Sequence, residues 1–509
     1  MMAALHNQNG HVTLKNLLAD MCVTEYLPDV EVMGLTLDSR QVEAGYVFVA
    51  LEGHFEHGLA YAEAAVSRGA IAVLCDAQYD QYCQQILSKI ITRTVCVPVK
   101  GLASKLADIA NRFYDAPSEK LFVSGITGTD GKTSVSHFIA QAMQQQEVAS
   151  AVIGTLGNGV LNDLDESTHT TPDILNLHNM LARFVDKGVG SVAMEVSSHG
   201  LDQNRVDGVK FDVAVLTNLS RDHLDYHGSI DNYKKAKRKL FADIDSRALV
   251  LNIDDEFGFE LYDELKLSRT IWLYGAQEAR AKQSEHYAYA THIETQREGI
   301  KFMLNSSQGT AEVQLKLLGD FNVYNALACF CVLLHSGLNF NLAIQRLQRL
   351  NTVPGRMETI AQPESPLVVI DYAHTPEALS QALRTVRKHT QGKIICVFGC
   401  GGDRDAGKRP LMAKVAEAHS DLVILTSDNP RNEDPVLIID EIKQGVSNEL
   451  KFIVEPERKK AIQQAIAMAS TEDLILIAGK GHETVQIIGN RKIPFSDKQE
   501  AMTGLGAYK

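Results

Sequence analysis

A chain of 509 residues is too long for one ordinary hydrophobic core, and about three domains are expected. Apolar residues make up 45% and charged residues 22%, which is the composition of a soluble globular protein. The formal net charge of −13 argues against a general nucleic-acid binder. The longest apolar run, residues 326–334, is too short to span a bilayer and predicts a buried helix instead.

The start of the chain and the cysteines carry no targeting or redox motif. Residues 1–7 lack a basic stretch followed by an apolar one, so we expect no signal peptide. The eight cysteines form no Cys-x-x-Cys pair and no spacing typical of zinc sites or disulfides. We therefore expect a cytoplasmic protein with reduced, mostly buried thiols.

The N-terminal region predicts a small α/β domain, which we place at residues 1–103. Residues 47–50 and 70–74 are β-prone apolar runs, and a polar loop bounded by Gly53 and Gly58 lies between them. Short apolar runs with glycine-bounded turns are typical of buried strands.

Residues 121–134 have the pattern of a phosphate-binding loop. A β-prone run leads into a glycine-rich turn that ends in Gly131-Lys132-Thr133, and an amphipathic helix pattern follows. Glycines let backbone N–H groups point at phosphate oxygens, Lys132 can reach the terminal phosphates, and the Thr133 hydroxyl can hold Mg²⁺. The generic pattern has glycine where Ile126 stands, so this loop is a variant. A glycine turn without a ligand is the alternative.

Further strands are predicted in the central region at residues 191–196, 211–217 and 248–251. Glu195 lies at the end of the first of them, and an acid at a strand end near a phosphate loop is a common partner of Mg²⁺. An ordinary turn carboxylate is the alternative. Residues 280–318 alternate weakly between apolar and polar, which predicts antiparallel strands.

Residues 218–239 are dense in charged side chains and histidine. His223 and His227 have the spacing of a zinc protease motif, but that motif needs Glu at position 224, where Leu stands. We expect one histidine to serve a divalent ion and the other to be structural. The basic run at 233–239 indicates a solvated helix face or a phosphate-attracting patch, and spacing alone favours no single lysine.

The last third of the chain predicts a parallel sheet. Apolar strands alternate with helices, and a polar cluster follows each strand. Ligands of such sheets collect at the carboxyl ends of the strands. Pro354 and Gly355 end the preceding helix, so we place the central domain at residues 104–353 and the last domain at residues 354–509. The predicted strands of the last domain are residues 367–370, 394–398, 422–425 and 474–478.

Two arginines at these strand ends suit carboxylate binding. Gly399 and Gly401 suggest a dinucleotide fingerprint, but Arg404 occupies the third glycine position, so that pattern fails. Arg404 and Arg431 each carry a planar fork that binds a carboxylate through two hydrogen bonds. Surface arginines without a ligand are the alternative.

Taken together, these segments resemble the Mur ligases of bacterial peptidoglycan synthesis, over nearly the whole chain. The resemblance is closest to the members that add 2,6-diaminopimelate, and Ile126 is regular in the Mur form of the loop. It rests on residues 125–133, 194–200, 218–227, 319–326, 354–358, 371–376 and 428–431. It implies an N-terminal UDP-binding α/β domain, a central P-loop ATPase α/β domain and a C-terminal Rossmann-like domain with a parallel sheet.

The resemblance implies an ATP-dependent, ADP-forming carbon–nitrogen ligase of cell-wall synthesis, and hence of cell shape and division. It would join meso-2,6-diaminopimelate to UDP-N-acetylmuramoyl-L-alanyl-D-glutamate through an acyl phosphate, with ATP and a pair of Mg²⁺ ions. A monomeric enzyme that acts on small molecules is expected. One alternative is a related ligase that uses lysine or makes folylpolyglutamate, against which Arg431 argues. The other is a P-loop ATPase that is not a ligase.

The same resemblance implies roles for individual residues. The uridine diphosphate end would be held by Ser39, Arg40, His54, Phe55 and Glu56, and the muramoyl-dipeptide by Thr170, Thr171, Ser197, Gln203 and Arg205. ATP would contact Gly125, Thr127, Gly128, Thr129, Asp130, Gly131, Lys132, Thr133, Asn322, Asn325, Arg356, Asp371 and His374. Mg²⁺ would be held by Thr133, Glu195, His223 and Lys237, the last as a carbamate (N6-carboxylysine), and the catalytic set would be Lys132, Glu195, His223 and Lys237. Diaminopimelate would contact Arg404, Asp428, Asn429, Pro430, Arg431, Gly479 and Glu483.

The acceptor assignments have a physical reason, and two segments depart from the family pattern. Arg431 would offer its fork to the distal carboxylate of diaminopimelate, and Glu483 would pair with the distal ammonium. Glu457-Arg458 stands where Asp-Arg is usual, and residues 495–500 are less regular than expected. Both departures are mild, and we expect an active enzyme.

Overall fold

The structure is a computed structural model that describes residues 12–21, 27–53, 56–78, 81–144 and 148–508. His54 and Phe55, two of the residues expected to hold uridine diphosphate, lie outside the described residues. The chain divides into two compact units. The first comprises residues 1–132, 143–249 and 263–270, and the second comprises residues 133–142, 250–262 and 271–509.

Helices and strands alternate through the first half of the chain. The helices are α1 (Leu14–Leu17), α2 (Ala62–Ser67), α3 (Gln81–Ile90), α4 (Leu102–Tyr114), α5 (Lys132–Met143), α6 (Ile174–Asp186), α7 (Ser198–Asp202), α8 (Leu224–His227), α9 (Ile230–Ala242) and α10 (Glu256–Leu265). The strands are β1 (Gly34–Thr36), β2 (Tyr46–Ala50), β3 (Ala72–Asp76), β4 (Val95–Val99), β5 (Phe122–Thr127), β6 (Ser150–Gly154), β7 (Gly157–Val160), β8 (Asp163–Asp165), β9 (Ser191–Glu195), β10 (Phe211–Leu216), β11 (Ser246–Asn252) and β12 (Thr270–Gly275).

The second half begins with strands and ends with a strand–helix alternation. Its helices are α11 (Glu278–Ala281), α12 (Phe321–His335), α13 (Phe340–Leu347), α14 (Pro376–Arg387), α15 (Lys408–His419), α16 (Pro435–Lys443), α17 (Arg458–Met468) and α18 (Asp497–Gly506). Its strands are β13 (His286–Gln296), β14 (Gly299–Ser306), β15 (Gly309–Leu315), β16 (Glu358–Ile360), β17 (Leu367–Asp371), β18 (Ile394–Phe398), β19 (Leu422–Leu425), β20 (Phe452–Val454), β21 (Leu474–Ala478), β22 (Val485–Ile488) and β23 (Arg491–Pro494).

In the first unit, β1 to β4 form a parallel sheet in chain order. Apolar side chains of β2 and β3 are buried on both faces, which explains their continuous apolar runs. The strand predicted at 70–74 begins at Ala72, because Gly69, with a φ of 105°, ends α2 and the Ala70 N–H still bonds to the carbonyl of Ala65. The predicted α/β character of this region is confirmed.

The other sheet strands of the first unit lie in the order β11-β10-β5-β9-β6-β7-β8. The core of this sheet is parallel, and β5 lies between β10 and β9. The register pairs Ile126 of β5 with Glu195 of β9, so the predicted phosphate loop and the predicted acidic strand end leave the sheet side by side. The strands predicted from apolar runs in this region are confirmed.

In the second unit, β12 and β13 pair in parallel, and β13, β14 and β15 form the antiparallel strands predicted at 280–318. The predicted apolar helix is α12, whose residues between Val323 and Leu334 are almost all buried. The C-terminal sheet has the order β16-β17-β21-β18-β19-β20 and is parallel except for β16. Buried side chains cover both of its faces, as the sequence predicted.

Several strands of the second unit were absent from the prediction, among them β16, β20 and a hairpin near the end of the chain. After β21 the chain forms a small hairpin, in which β22 pairs antiparallel with β23. The residues of this hairpin are half-exposed or exposed, so the sequence there has no apolar periodicity from which the strands could be predicted.

Among the residues described, no helix combines the length and apolar character that a membrane crossing requires.

Candidate active site

The loop predicted to bind phosphate, residues 125–133, connects β5 to α5. Gly128 and Gly131 have φ angles of 147° and 82°, a region that favours glycine. A Cβ on Gly128 would collide with the hydroxyl of Thr217, which directly follows β10. The two residues after Gly128 donate their backbone N–H groups to the carbonyl and side-chain oxygens of Asn218, both at 2.9 Å. The end of β10 therefore shapes the loop.

Lys132 lies over this loop. Its Nζ donates hydrogen bonds to the carbonyl oxygens of Gly128, at 3.0 Å, and Thr129, at 2.7 Å. Thr133 is buried in the first turn of α5. Both residues stand at a helix N-terminus, where backbone N–H groups favour anions.

Lys237 is the buried lysine of the basic run on α9. Its side chain is 1% exposed, whereas Lys235 is exposed. Tyr233, Ala236 and Leu240 are buried on the same helix face. The sequence analysis left the choice among the lysines of this run open, and the 3.6-residue period of these apolar neighbours places Lys237 on the buried face.

The Lys237 amine contacts the same loop carbonyl as Lys132. Its Nζ lies 2.7 Å from the oxygen of Gly128 and 3.4 Å from the Thr127 hydroxyl. Burial lowers the pKa of Lys237 well below its ordinary range, and the nearby Lys132 charge lowers it further. The site thus favours the neutral amine, which is a nucleophile.

Glu195 ends β9 with its side chain buried. It is 1% exposed, and its Oε1 accepts the backbone N–H of Thr155 at 2.8 Å. The Thr155 hydroxyl donates to the other carboxylate oxygen at 3.3 Å. Because strand register places Glu195 beside Ile126, this carboxylate lies at the same sheet edge as the phosphate loop.

Three histidines gather near α7 and α8. His223 has a φ of 52°, its side chain is exposed, and its ring lies 5.0 Å from that of His199. His227 is buried, with Nε2 3.0 Å from the Ser198 hydroxyl, and burial lowers its pKa. His227 is thus held in the packing, while His223 faces outward. Nowhere in the described parts of the chain do three His, Cys, Asp or Glu side chains gather as a metal-binding group.

The residues expected to hold the muramoyl-dipeptide form one hydrogen-bonded network. The Thr171 hydroxyl donates to the carbonyl of Glu195 at 2.9 Å and accepts the Ser197 N–H at 3.0 Å. Arg205 donates to the carbonyl of Thr171 at 2.7 Å and to the Gln203 side chain at 2.6 Å. The hydroxyl of Thr170, the remaining member, lies 3.1 Å from that of Thr155, the residue that binds Glu195. The structure therefore brings this predicted set together.

The described residues expected to hold uridine diphosphate lie on two short segments after β1 and β2. Ser39 is buried, and the Arg40 side chain is 84% exposed and pairs with Asp38 at 2.7 Å. Glu56 accepts a hydrogen bond from the Tyr61 hydroxyl at 2.7 Å. Arg40 is thus presented to solvent from a fixed turn.

In the second unit, two of the predicted nucleotide residues lie at the start of α12. Asn322 and Asn325 are both buried. The Asn322 amide donates to the carbonyl of Leu318 at 2.8 Å, and the Asn325 amide donates to the Asn322 side-chain oxygen at 2.9 Å. Their side chains therefore orient each other.

Asp371 ends β17 and organises the loop around it. Its carboxylate accepts the backbone N–H groups of Met357, at 2.8 Å, and Ala373, at 2.9 Å, and burial raises its pKa. The Arg356 guanidinium lies 5.4 Å from the centre of the Tyr372 ring. His374, the remaining member of this predicted set, is exposed, and its Nδ1 lies 2.8 Å from the Tyr372 carbonyl oxygen.

Arg431 follows β19 and has a strained backbone. Its φ is 51°, in the left-handed region that non-glycine residues seldom adopt. Its N–H donates to the carbonyl of Ile487 on β22 at 3.0 Å, and its Nη1 donates to the carbonyl of Gly402 at 2.8 Å. Arg404 is exposed on the loop that contains Gly402. The two predicted carboxylate forks therefore belong to loops that are bonded together.

Glu483 and Asn429 contact each other directly. The Asn429 amide donates to Glu483 Oε2 at 2.7 Å. Asp428, the neighbour of Asn429, is buried, and burial raises its pKa. A Cβ on Gly479, whose φ is 113°, would come within 2.6 Å of the Asp428 carboxylate. Glycine is therefore required where β21 ends beside Asp428.

Sequence reasoning gave no specific role to Arg409, which holds two of these loops together. Its side chain is buried and pairs with Glu433 at 2.9 Å and Glu441 at 2.8 Å. It also donates to the carbonyl of Gly401 at 3.3 Å, and Glu433 accepts the backbone N–H of Asp403. A basic residue on the inner face of α15 is the one sequence signal for this role.

Comparison with family models matches three parts of the chain. Residues 31–114 match the model "Mur ligase family, catalytic domain", residues 126–333 match "Mur ligase middle domain", and residues 355–481 match "Mur ligase, glutamate ligase domain".

Curated relatives match almost from end to end. The UDP-N-acetylmuramoyl-L-alanyl-D-glutamate–2,6-diaminopimelate ligase of Coxiella burnetii is 43% identical over 477 residues, which cover 94% of this chain and 96% of the relative. The protein of the same name from Alkalilimnicola ehrlichii is 44% identical over 490 residues, which cover 94% and 95%.

Solved structures agree with these matches. A structure of a UDP-N-acetylmuramoyl-L-alanyl-D-glutamate–2,6-diaminopimelate ligase superposes with a TM-score of 0.74 at 34% identity, covering 98% of this chain and 99% of the other. The UDP-N-acetylmuramoylalanyl-D-glutamyl-2,6-diaminopimelate–D-alanyl-D-alanyl ligase of Acinetobacter baumannii, at 18% identity and a TM-score of 0.62 over 97% of both chains, shares the fold. The predicted three-domain α/β fold is confirmed, and the chain belongs to the Mur ligase family.

Proposed function

We propose that this chain adds meso-2,6-diaminopimelate to UDP-N-acetylmuramoyl-L-alanyl-D-glutamate and forms the UDP-muramoyl-tripeptide of peptidoglycan synthesis. The chain is a Mur ligase, an ATP-dependent and ADP-forming enzyme that joins an acid to an amino acid. Its relatives from Coxiella and Alkalilimnicola are named for the diaminopimelate reaction. The observation that carries the proposal is that Arg431 and Glu483 are both held in the loops that follow the C-terminal strands: Arg431 Nη1 donates to the carbonyl of Gly402, and Glu483 accepts the Asn429 amide.

The first step activates a carboxylate, which by itself is a poor electrophile at neutral pH. The γ-carboxylate of D-glutamate attacks the γ-phosphorus of ATP, the bond between that phosphorus and the β,γ-bridging oxygen breaks, and ADP leaves with the electron pair. The protein supplies position and positive charge in such a transfer. We assign the phosphates of ATP to Gly125, Thr127, Gly128, Thr129, Asp130, Gly131, Lys132 and Thr133.

The second step forms the amide. The neutral amine of diaminopimelate attacks the acyl carbon of the glutamyl phosphate and gives a tetrahedral intermediate. The carbon–oxygen bond to phosphate then breaks, inorganic phosphate leaves, and the nitrogen loses a proton. In the acceptor pocket, Arg431 would bind the distal carboxylate through two hydrogen bonds, and Glu483 would bind the distal ammonium. Arg404, Asp428, Pro430 and Gly479 complete the proposed pocket.

The donor substrate is assigned to the first unit. The network of Thr170, Thr171, Ser197, Gln203 and Arg205 offers hydroxyl, amide and guanidinium groups to the anionic dipeptide. The uridine diphosphate end is assigned to Ser39, Arg40, His54, Phe55 and Glu56. In the second unit, Asn322, Asn325 and Arg356 are proposed to contact adenine and the ribose–phosphate, and Asp371 and His374 the γ-phosphate.

Most of the proposed metal ligands are oxygen donors, which suit Mg²⁺, a hard cation that prefers oxygen ligands. Glu195 provides a buried carboxylate at the carboxyl end of β9, beside the strand that leads into the phosphate loop. We propose that Thr133, Glu195, His223 and the carbamate of Lys237 hold a pair of Mg²⁺ ions. When bound, Mg²⁺ would neutralise the phosphate charge that develops during transfer.

Carbamylation converts the Lys237 amine into an anion. The neutral amine attacks CO₂, a nitrogen–carbon bond forms, and one proton is released. Burial and the Lys132 charge both favour the neutral amine that this step needs. An uncharged buried lysine has no net charge to offer to phosphate, so the carbamate gives this position a chemical role.

We expect Lys237→Ala to lower turnover by roughly 10²–10³-fold, the scale of losing one preorganised electrostatic group. Added formate or acetate should restore part of the activity, because a small carboxylate can replace the carbamate. Turnover is measured as phosphate release at saturating substrates. The matched control is Lys235→Ala, which removes an exposed lysine from the same helix. A fully active Lys237→Ala enzyme would contradict the assignment.

We expect Arg431→Ala to raise the KM for diaminopimelate by roughly a hundredfold, because losing one partner of a charged pair costs about 2–5 kcal/mol. The KM for ATP should change little. Lysine has no distal carboxylate, so turnover with lysine as the acceptor should be unaffected, and the preference for diaminopimelate over lysine should collapse. Arg491→Ala, on exposed β23, is the control. Equal effects on ATP and diaminopimelate would indicate a structural role.

The proposed function as a whole is tested by phosphate release with ATP and the UDP-muramoyl-dipeptide, comparing diaminopimelate, lysine and glutamate as acceptors. Diaminopimelate should be preferred, and preference for lysine or glutamate would overturn the proposal.

We further propose a monomeric cytoplasmic enzyme whose partners are these small molecules. Its domains are proposed to be a UDP-binding domain at residues 1–103, an ATP-binding domain at 104–353 and an amino-acid-binding domain at 354–509.

A further inference from the structure

Lys480 is a buried cation beside the proposed acceptor pocket. It directly follows Gly479, the residue after β21, and its side chain is 0% exposed. Its Nζ donates to Glu483 Oε2 at 2.7 Å, Asn429 Oδ1 at 3.0 Å and the carbonyl of Val485 at 2.8 Å. An ammonium group has three N–H donors. Lys480 therefore uses its full hydrogen-bonding capacity within the protein.

The contacts of Lys480 fix the orientation of the Asn429 amide. Asn429 Oδ1 accepts both the Lys480 ammonium and the backbone N–H of Ile487, the latter at 2.9 Å. With two donors on the oxygen, the amide nitrogen must point the other way, and it donates to Glu483 Oε2. The amide thus has one favourable orientation.

The same contacts fix the Glu483 carboxylate. Lys480 and Asn429 both donate to Oε2, each at 2.7 Å. Among the residues that the structure describes, no hydrogen bond ends on Oε1, and the side chain is 28% exposed. One oxygen is therefore anchored inside the protein, while the other is open to a ligand ammonium. Without a cation at position 480, Glu483 would lose the ammonium that contacts it while buried Asp428 stays nearby, and the remaining cation of this region, Arg458, is paired with Asp497.

We propose that Lys480 is a positioning residue for the acceptor amino acid. It orients Glu483 Oε1 and the Asn429 amide so that they receive the distal ammonium of diaminopimelate. The inference rests on the proposed function, since it concerns the same pocket. Lys480 acts through Glu483 and Asn429 and does not itself touch the substrate, because its three donors are used within the protein.

The test compares Lys480→Met with the native enzyme. We expect the KM for diaminopimelate to rise about tenfold or more, since the charged hydrogen bonds that fix Glu483 are lost. The KM values for ATP and the UDP-muramoyl-dipeptide should rise far less, because the three hydrogen bonds of Lys480 go to Glu483, Asn429 and Val485 and none goes to a residue assigned to those two substrates. Lys492→Met, which removes an exposed lysine from β23, is the matched control. An unchanged KM for diaminopimelate, or an equal rise for all three substrates, would overturn the inference.

A second comparison covers the case in which Lys480→Met does not fold. The double variant Lys480→Met with Glu483→Leu removes the buried cation together with its anion, a change that proteins tolerate better than the loss of one partner. If Lys480 acts mainly through Glu483, the KM of the double variant for diaminopimelate should lie within about threefold of that of Glu483→Leu alone. A further rise beyond tenfold would overturn the inference. If the native enzyme ignores diaminopimelate, the proposed function fails instead, so the two failures are distinguishable.

Discussion

Lys132→Ala should abolish ATP-dependent ligation, with turnover reduced by about 10³-fold or more, the scale of losing one key electrostatic contact to a reacting group. The reason is the position of the ammonium. It stands at the N-terminus of α5 and contacts the loop carbonyls of Gly128 and Thr129, so a phosphate bound by this loop would lie beside it. The substitution therefore removes positive charge directly beside the proposed phosphate position.

Phosphate release and nucleotide binding are both measured, because the first reports a loss of catalysis and the second reports a loss of ATP affinity. We expect nucleotide affinity to fall far less than turnover, since the backbone N–H groups of the loop remain. Lys120→Ala, just before β5, is a control for loss of a lysine nearby. Near-normal turnover in Lys132→Ala would show that the loop is a glycine turn without a catalytic role.

Lys132 also affects Lys237, so a second variant separates the two effects. The Lys132 charge helps to lower the pKa of Lys237, and its removal should favour the protonated amine, which does not form a carbamate. Lys132→Arg keeps the charge but places a planar fork where a compact ammonium lay. We expect Lys132→Arg to lose most activity as well. If Lys132→Arg keeps native turnover, a positive charge at this position is sufficient for activity.

Local sequence signals predicted the parts of the fold that depend on local physics. Apolar runs predicted the buried strands, and glycines at positions with positive φ, such as Gly128, marked the phosphate loop. Glu195 was predicted to be a partner of Mg²⁺ from its place at a strand end, and its register with Ile126 places it next to the strand that leads into the phosphate loop. Lys237 was within reach of the same reasoning, because Tyr233 and Leu240 define the buried helix face on which it lies.

Contacts between residues distant in sequence were not predictable in this way. Lys480 and Asn429 are 51 residues apart, and their hydrogen bond depends on strand order in the C-terminal sheet. The β22–β23 hairpin has no apolar alternation, yet it supplies the carbonyl of Ile487 that holds the Arg431 backbone. Such contacts follow from tertiary structure, and a single sequence carries no pattern for them.

The two segments that depart from the family pattern contain a buried ion pair. Arg458, at the start of α17, donates through Nε and Nη2 to the Asp497 carboxylate at 2.7 and 2.8 Å, and both side chains are 0% exposed. Nη2 also donates to the carbonyl of Ala478, the last residue of β21. The residue that differs from the family, Glu457, is exposed and pairs with Lys460, so the departure lies on the surface.

Arg458→Met should destabilise the C-terminal region by about 3–5 kcal/mol, because it leaves the Asp497 carboxylate buried without its partner. Lys459→Met provides a matched control on the same helix. Lys459 pairs with Glu500 of α18 at 3.3 Å, but its side chain is half-exposed, and such surface pairs contribute about 0–1 kcal/mol. Urea unfolding followed by circular dichroism should therefore show a lower midpoint for Arg458→Met and almost none of that shift for Lys459→Met.

The double variant Arg458→Met with Asp497→Leu distinguishes a lost charge pair from lost packing. Removing both charges should recover most of the stability, since apolar replacements of a buried pair are often neutral. If the double variant is as unstable as Arg458→Met, the loss comes from the guanidinium contact to Ala478 and from packing, and the ion-pair explanation is wrong. Because Ala478 immediately precedes Gly479 and Lys480, a loosened β21 end should also raise the KM for diaminopimelate.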